Sequence, residues 1–176
     1  MYKEANAPLE TIHFGGDEVP EGVWEKSPAA LDLLEKDKSV TSIDELWHYY
    51  FSKVNAILKA RNLYLSGWGE IGLRKAVVNG TKKMVLDPRF INENFHTDVW
   101  NNLHGNEDLA YELANAGYKV VLTNVTNMYL DLAYNSSYYE PGQYWGGYVD
   151  VDKPFSFIPF NYYKNQKENT LGEPLK

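Results

Sequence analysis

The sequence predicts an α/β fold built on parallel strands, and three observations carry that expectation. Strand-like and helix-like segments alternate along the chain, as they do in parallel βαβ units with right-handed crossovers. Apolar residues recur at helical spacing over 43–61 (Ile43, Leu46, Trp47, Tyr50, Phe51, Val54, Ile57 and Leu58), so a helix there must bury one stripe, most simply against a sheet. Lys119 to Val125 is almost continuously apolar, the pattern of a strand covered on both faces.

Taken in order, Thr11-Ile12-His13-Phe14 alternates polar and apolar and starts a short strand. Gly15-Gly16 breaks it and permits close backbone approach, and Asp17-Glu18 follow at the strand end. Ser27-Pro28 reads as an N-cap and a first helical position, which predicts a helix over about 29–35. Ser42-Ile43-Asp44-Glu45 has the capping-box pattern and opens the helix over 43–61. Residues 62–66 read as a second strand, ending at Gly67-Trp68-Gly69-Glu70. Residues 71–94 have no clear assignment beyond turns at Asn79-Gly80 and Asp87-Pro88. Phe95 to Trp100 reads as a third strand, and Asn106 caps a helix over 107–116 that Gly117 stops. Residues 119–125 are the fourth strand. From Tyr134 the chain is loop-like, and 164–176 is a polar tail expected to be disordered.

The totals exclude several classes. A chain of 176 residues suffices for one domain with a core. The net charge of -7 and the lack of a Lys/Arg run argue against a nucleic-acid or anionic-membrane partner. No cysteine means no disulfide and no thiol chemistry. No apolar run is long enough for a transmembrane helix, and the first residues lack the apolar region of a signal peptide. Only His13 of the four histidines lies near the acid pair, and no cluster has ligand spacing, so neither metal nor cofactor is expected. Aromatic content is 15%, with 14 Tyr and 5 Trp, which suits stacking on the flat apolar faces of sugar rings as well as filling a core.

In parallel α/β folds ligands bind at the carboxyl ends of strands. Those ends hold Asp17 and Glu18, Trp68, Trp100, and then Tyr129 and Asp131. Adjacent acids on a strand-end loop suit general acid/base work. Asp131, two residues past Tyr129, faces the same side on an extended chain. His13 reads equally as a substrate contact or as a hydrogen-bonded structural residue. Trp24 and Trp145 read as packing, and Glu70 as a surface or cleft residue.

The run His13-Phe14-Gly15-Gly16-Asp17-Glu18-Val19 resembles the signature of the family 20 glycoside hydrolases, the β-N-acetylhexosaminidases. Leu65 to Glu70 resembles the end of that family's strand 5, Thr97 to Trp100 its strand 6, and Tyr129-Leu130-Asp131 its strand 7. Gln143-Tyr144-Trp145 resembles the loop that follows. The resemblance spans about residues 9–160. It implies a (β/α)8 barrel of which this chain holds about strands 4 to 7 with their helices. Residues 1–163 would then be a partial catalytic TIM-barrel domain, lacking the family's strand-1 to strand-3 arginine and its strand-8 Trp-x-Glu. Half a barrel leaves two strand edges, so the chain is expected to associate with itself or with a missing N-terminal half, or to be poorly stable.

The same resemblance implies a retaining, substrate-assisted hydrolysis of terminal non-reducing N-acetyl-β-hexosamine, GlcNAc or GalNAc, from an oligosaccharide or glycan. It implies Glu18 as general acid and then base, and Asp17 as holder of the 2-acetamido group. It gives Tyr129 a hydrogen bond to the acetamido oxygen, Trp68 and Trp100 the walls, and Asp131 the sugar hydroxyls. The sequence leaves localisation open, with a periplasmic or secreted location the expectation for the full-length protein. Two other readings exist. Gly-Gly-Asp-Glu also begins the diguanylate-cyclase signature, but Val-Pro follows here where that family has Phe. The chain is alternatively a non-catalytic carbohydrate-binding or structural remnant of a hexosaminidase.

Overall fold

The computed structural model describes Tyr2 and residues 4–159, and the polar tail 164–176 lies outside the described residues. Strands β1 (Thr11–His13), β2 (Tyr64–Trp68), β5 (His96–Val99) and β6 (Lys119–Leu122) form one sheet in the order β1-β2-β5-β6. β1 and β2 run parallel with Thr11 opposite Tyr64 and His13 opposite Ser66. The helices α1 (Pro28–Lys36), α2 (Leu46–Lys59) and α3 (Leu109–Ala116) fall between the strands, followed by the short α4 (Val125–Met128) and α5 (Asp152–Phe155). By their contacts the described residues divide into two compact units, those up to 97 with 117–119, and 98–116 with those from 120 to 159.

In the first unit, α1 starts as its sequence dictates, with the Ser27 side chain accepting from the Ala30 N–H and proline in the first turn. Ala30, Val40 and Leu46 form a core cluster against which Trp24 and Leu33 pack. α2 buries Leu46, Phe51, Val54 and Leu58. Its stripe is narrower than the spacing predicts, because Tyr50 and Ile57 are about half exposed. The expected capping box does not form either. Ser42 makes no side-chain cap bond, and residues 43–45 are a single 3-10 turn ahead of the α-helix. Glu45 instead pairs with Arg89.

The unassigned stretch 71–94 is largely a β-hairpin. β3 (Leu73–Val78) pairs antiparallel with β4 (Thr81–Leu86), Val78 opposite Thr81. Its turn, Asn79-Gly80, has φ of 52° and 78°, the two positive values that a type I′ turn requires. At the hairpin base Asp87 is buried, with 1% of its surface exposed. Its carboxylate accepts from Arg89 Nε at 2.9 Å and Nη2 at 2.8 Å, and its backbone oxygen accepts from the Tyr118 hydroxyl at 2.6 Å. Burial pushes the Asp87 carboxyl up, but the hydrogen bonds and charge of Arg89 outweigh it and hold the group below the usual carboxylate range. His48, stacked on Phe90 at 4.5 Å, is pushed down by burial and by Arg89.

In the second unit, Val125, Leu132 and Val149 form the core, with Leu103 and Tyr129 packed on it. β6 ends earlier than its composition predicts. Thr123 N–H bonds the Val99 oxygen, then the chain turns at Asn124 into α4. Val121 is 43% exposed, so β6 is not covered on both faces: it is the terminal strand of the sheet. A parallel bridge between Leu132 and Gln143 ties the ends of the loop that follows.

Candidate active site

The acid pair stands on a turn that the two glycines make. Gly15 and Gly16 take φ of +67° and +100°, where a side chain is disfavoured. A Cβ at Gly16 would also fall 2.8 Å from Ile71 Cγ2 and 3.0 Å from Phe51 Cζ, so the chain presses on the core as it turns. The turn is tied to β2 on both sides, by Phe14 N–H to the Ser66 oxygen and by Trp68 N–H to the Gly15 oxygen, each 2.9 Å. His13 Nδ1 accepts from the Gly15 N–H at 3.2 Å, which leaves the ring proton on Nε2, and its ring meets Trp68 edge-on at 5.1 Å. Asp17 and Glu18 are exposed, and neither makes a hydrogen bond or ion pair among the described residues. Glu18 holds φ of +47°, uncommon outside glycine and typical of positions where the surrounding structure imposes a functional placement.

In the second unit, Trp100, Tyr129 and Trp145 form an aromatic trio. Trp100 stacks on Tyr129 at 6.4 Å, and Trp145 meets both edge-on, at 6.1 Å and 5.7 Å. Trp145 Nε1 donates to Asp131 Oδ2 at 3.3 Å. Tyr129 and Asp131 thus share Trp145 as a neighbour, while Leu130 between them is 94% exposed. The trio is set by backbone bonds: Val125 N–H to the Trp100 oxygen at 2.9 Å, and Gln143 N–H to the Asp131 oxygen at 2.7 Å.

The first unit therefore groups His13, Trp68 and the acid pair, and the second groups Trp100, Tyr129 and Asp131. Trp145 was expected only to pack. It is 48% exposed and holds the Asp131 carboxylate, so it belongs with the candidate residues. Trp24 does pack, on the α1–α2 cluster and 6.4 Å from Trp47. Glu70 is half-buried, and its backbone oxygen accepts from Trp47 Nε1 at 3.3 Å.

Adjacent carboxylates thus follow β1 on a turn bonded to the Trp68 N–H, and a separate Trp-Tyr-Trp-Asp group lies further along the same α/β chain. The chain belongs to glycosyl hydrolase family 20, whose catalytic domain matches residues 4–173. It is 30% identical over 164 residues to a beta-hexosaminidase of Vibrio vulnificus, covering 92% of this chain and 18% of that protein. It is 30% identical over 164 residues to human beta-hexosaminidase subunit beta, covering 93% and 24%. Among solved structures it is similar to the exo beta-N-acetylglucosaminidase of Vibrio harveyi in complex with N-acetylglucosamine. There the TM-score is 0.65 at 27% identity, over 87% of this chain and 21% of that one. The chain spans about a fifth of the length of the curated relatives it matches. The parallel sheet and the TIM-barrel enzymes among its structural neighbours agree with the expected fold class, a partial barrel.

Proposed function

We propose that this chain carries the acid/base pair and the acetamido-recognising residues of a β-N-acetylhexosaminidase that releases terminal non-reducing GlcNAc or GalNAc with retention of configuration. The carrying observation is the turn after β1, which presents Asp17 and Glu18 exposed past the strand's carboxyl end and is bonded through the Gly15 oxygen to the Trp68 N–H. Family membership supports it.

In this reading Glu18 gives its proton to the glycosidic oxygen as the bond from that oxygen to the anomeric carbon breaks. The substrate's own acetamido oxygen forms the new bond to the anomeric carbon, and Asp17 orients the acetamido N–H and balances the positive oxazolinium ring. Water then attacks the same carbon, loses a proton to the Glu18 carboxylate, and the acetamido oxygen departs. Trp68 and Trp100 shield the acetamido group and Tyr129 donates to its oxygen. Asp131, held by Trp145, accepts from sugar hydroxyls. His13 braces the acid turn and lies within reach of a sugar at Trp68.

Hydrolysis of a chromogenic N-acetyl-β-glucosaminide by the full-length protein tests this, with Glu18→Gln expected to slow it by roughly 10²–10⁴. Hydrolysis indifferent to Glu18→Gln overturns the assignment. Sugar binding with no hydrolysis by the folded protein favours the non-catalytic carbohydrate-binding reading instead.

A further inference from the structure

The β3–β4 hairpin has no part in the reading above, and its charge is unlike the rest of the chain. Residues 73–86 hold Arg74, Lys75, Lys82 and Lys83 and no acid, in a protein of net charge -7. The hairpin helps to line a cavity of about 440 Å³ in the first unit, which Glu18, Trp24 and Trp47 also line. That volume lies in the range of small-molecule sites.

The cations of this cavity are not alike. Lys75 pairs with Asp44 at 3.5 Å, and Lys82 with Asp44 and Glu21, both at 3.4 Å. Arg89 is taken by Asp87 and Glu45. These pairs join the hairpin to the loop after β1 and to the start of α2. Arg74 is half-buried and has no hydrogen bond or ion pair among the described residues. Such a guanidinium has lost hydration without gaining an acceptor. Its planar fork of donors fits a carboxylate or a sulfate through two parallel bonds. Trp24 and Trp47 supply half-buried indole surface on which a sugar ring can rest.

Glu18 fixes which sugar that is. A general acid touches the glycosidic oxygen, and beyond that oxygen lies the residue that departs. Asp44 and Glu21 are occupied by lysines, and Glu18, Glu25 and Glu70 also line the cavity, so an oxyanion would be selected by the unpaired Arg74 fork and not by the cavity's net charge. We propose that the cavity receives the leaving-group residue of the glycoside, and that Arg74 selects an oxyanion, a carboxylate or a sulfate, on that residue. This rests on the assignment of Glu18 as general acid.

Binding to the full-length chain, followed by tryptophan fluorescence, tests it with three disaccharides that share a non-reducing N-acetyl-β-glucosamine. One ends in glucuronate, one in sulfated N-acetylglucosamine, and one in neutral N-acetylglucosamine. An anionic disaccharide should bind about tenfold more tightly than the neutral one at low salt, with the preference shrinking at high salt. Arg74→Gln should bring the preference within about twofold, and Arg74→Lys should keep part of it. Preference for only one of the two anions supports the inference and names the source. Equal binding of all three, or a preference that survives Arg74→Gln, overturns it while leaving the hexosaminidase reading intact. Binding of none of them overturns the sugar-site reading and this inference together.

Discussion

The Gly15 backbone oxygen accepts from Trp68 N–H at 2.9 Å and lies 2.7 Å from where a side chain at Gly67 would begin. The acid turn and the indole at the end of β2 are therefore built as one piece, and Gly67 is the space between them. A Cβ there would also press on Ile71 at 3.0 Å. Gly67→Ala should cost about 1–3 kcal/mol, the usual range for overpacking, read from the urea midpoint. The larger effect should be on sugar hydrolysis, because the displaced atoms belong to the acid turn. A variant with unchanged stability and activity would show that the strands separate freely and that the turn is not fixed by β2.

The buried Asp87 gives the first unit an acid-sensitive point. Its carboxyl is held below the usual range, so it contributes stability that is full above about pH 4 and is lost as the pH falls through the lowered value. His48 is also pushed down, so its protonation favours the unfolded chain as the pH falls below about 6.5. Both signs agree: the urea midpoint should decline in two stages on acidification, and His48→Gln should remove the earlier one. Asp87→Ala removes the buried acceptor of Arg89, which keeps Glu45 as a partner, and should destabilise by about 1–3 kcal/mol at neutral pH. A midpoint flat from neutral pH down to 4 would contradict the role given to His48.

The parts of this structure that the sequence discloses are those where one face is buried or one residue type is forced. β1 and its glycine turn are legible because the alternation ends at two glycines and two acids, and α2 because most of its stripe meets the core. The hairpin is not legible beyond its Asn79-Gly80 turn. β3 is buried only at Leu73 and grows exposed toward Val78, and β4 is exposed over most of its length, so neither strand shows alternation. Arg74 was hidden with it. Trp145 escapes for another reason. It lies 14 residues from Asp131, and the backbone pairing of residues 131–133 with Gln143 brings the two together. Gly142 marks that closure, since a Cβ there would fall 2.5 Å from Ala133 N, but nothing local in the sequence says what it approaches.

Trp145 separates packing from positioning. Trp145→Phe keeps an aromatic face against Trp100 and Tyr129 and removes the donor to Asp131. Affinity for N-acetylglucosamine, followed by NMR titration, should fall about 3–10-fold, the worth of one net hydrogen bond, while the urea midpoint moves little. A fall in stability with no change in affinity would return Trp145 to the core and leave Asp131 to act unaided.

The proposed nucleophile belongs to the substrate, and this gives the sharpest test of the chemistry. A β-glucoside differs from the N-acetyl-β-glucosaminide only in carrying a hydroxyl where the acetamido group stands. It can still accept a proton from Glu18 and still stack on Trp68. It cannot close an oxazolinium ring, so it forfeits an intramolecular attack whose effective molarity in well-oriented systems reaches about 10⁵ M or more. Hydrolysis of the β-glucoside should therefore be slower by at least about 10³. The loss should appear in kcat rather than only in KM, because the missing group acts in the bond-breaking step. Asp17→Asn should lower kcat on the N-acetyl substrate, since the amide cannot balance the developing positive charge, and should change little on the β-glucoside. If the β-glucoside is cleaved at a comparable kcat, the acetamido group is not the nucleophile and Asp17 must itself attack the anomeric carbon. A covalent glycosyl-Asp17 ester, detectable by mass spectrometry of the trapped protein, would then be the expected intermediate.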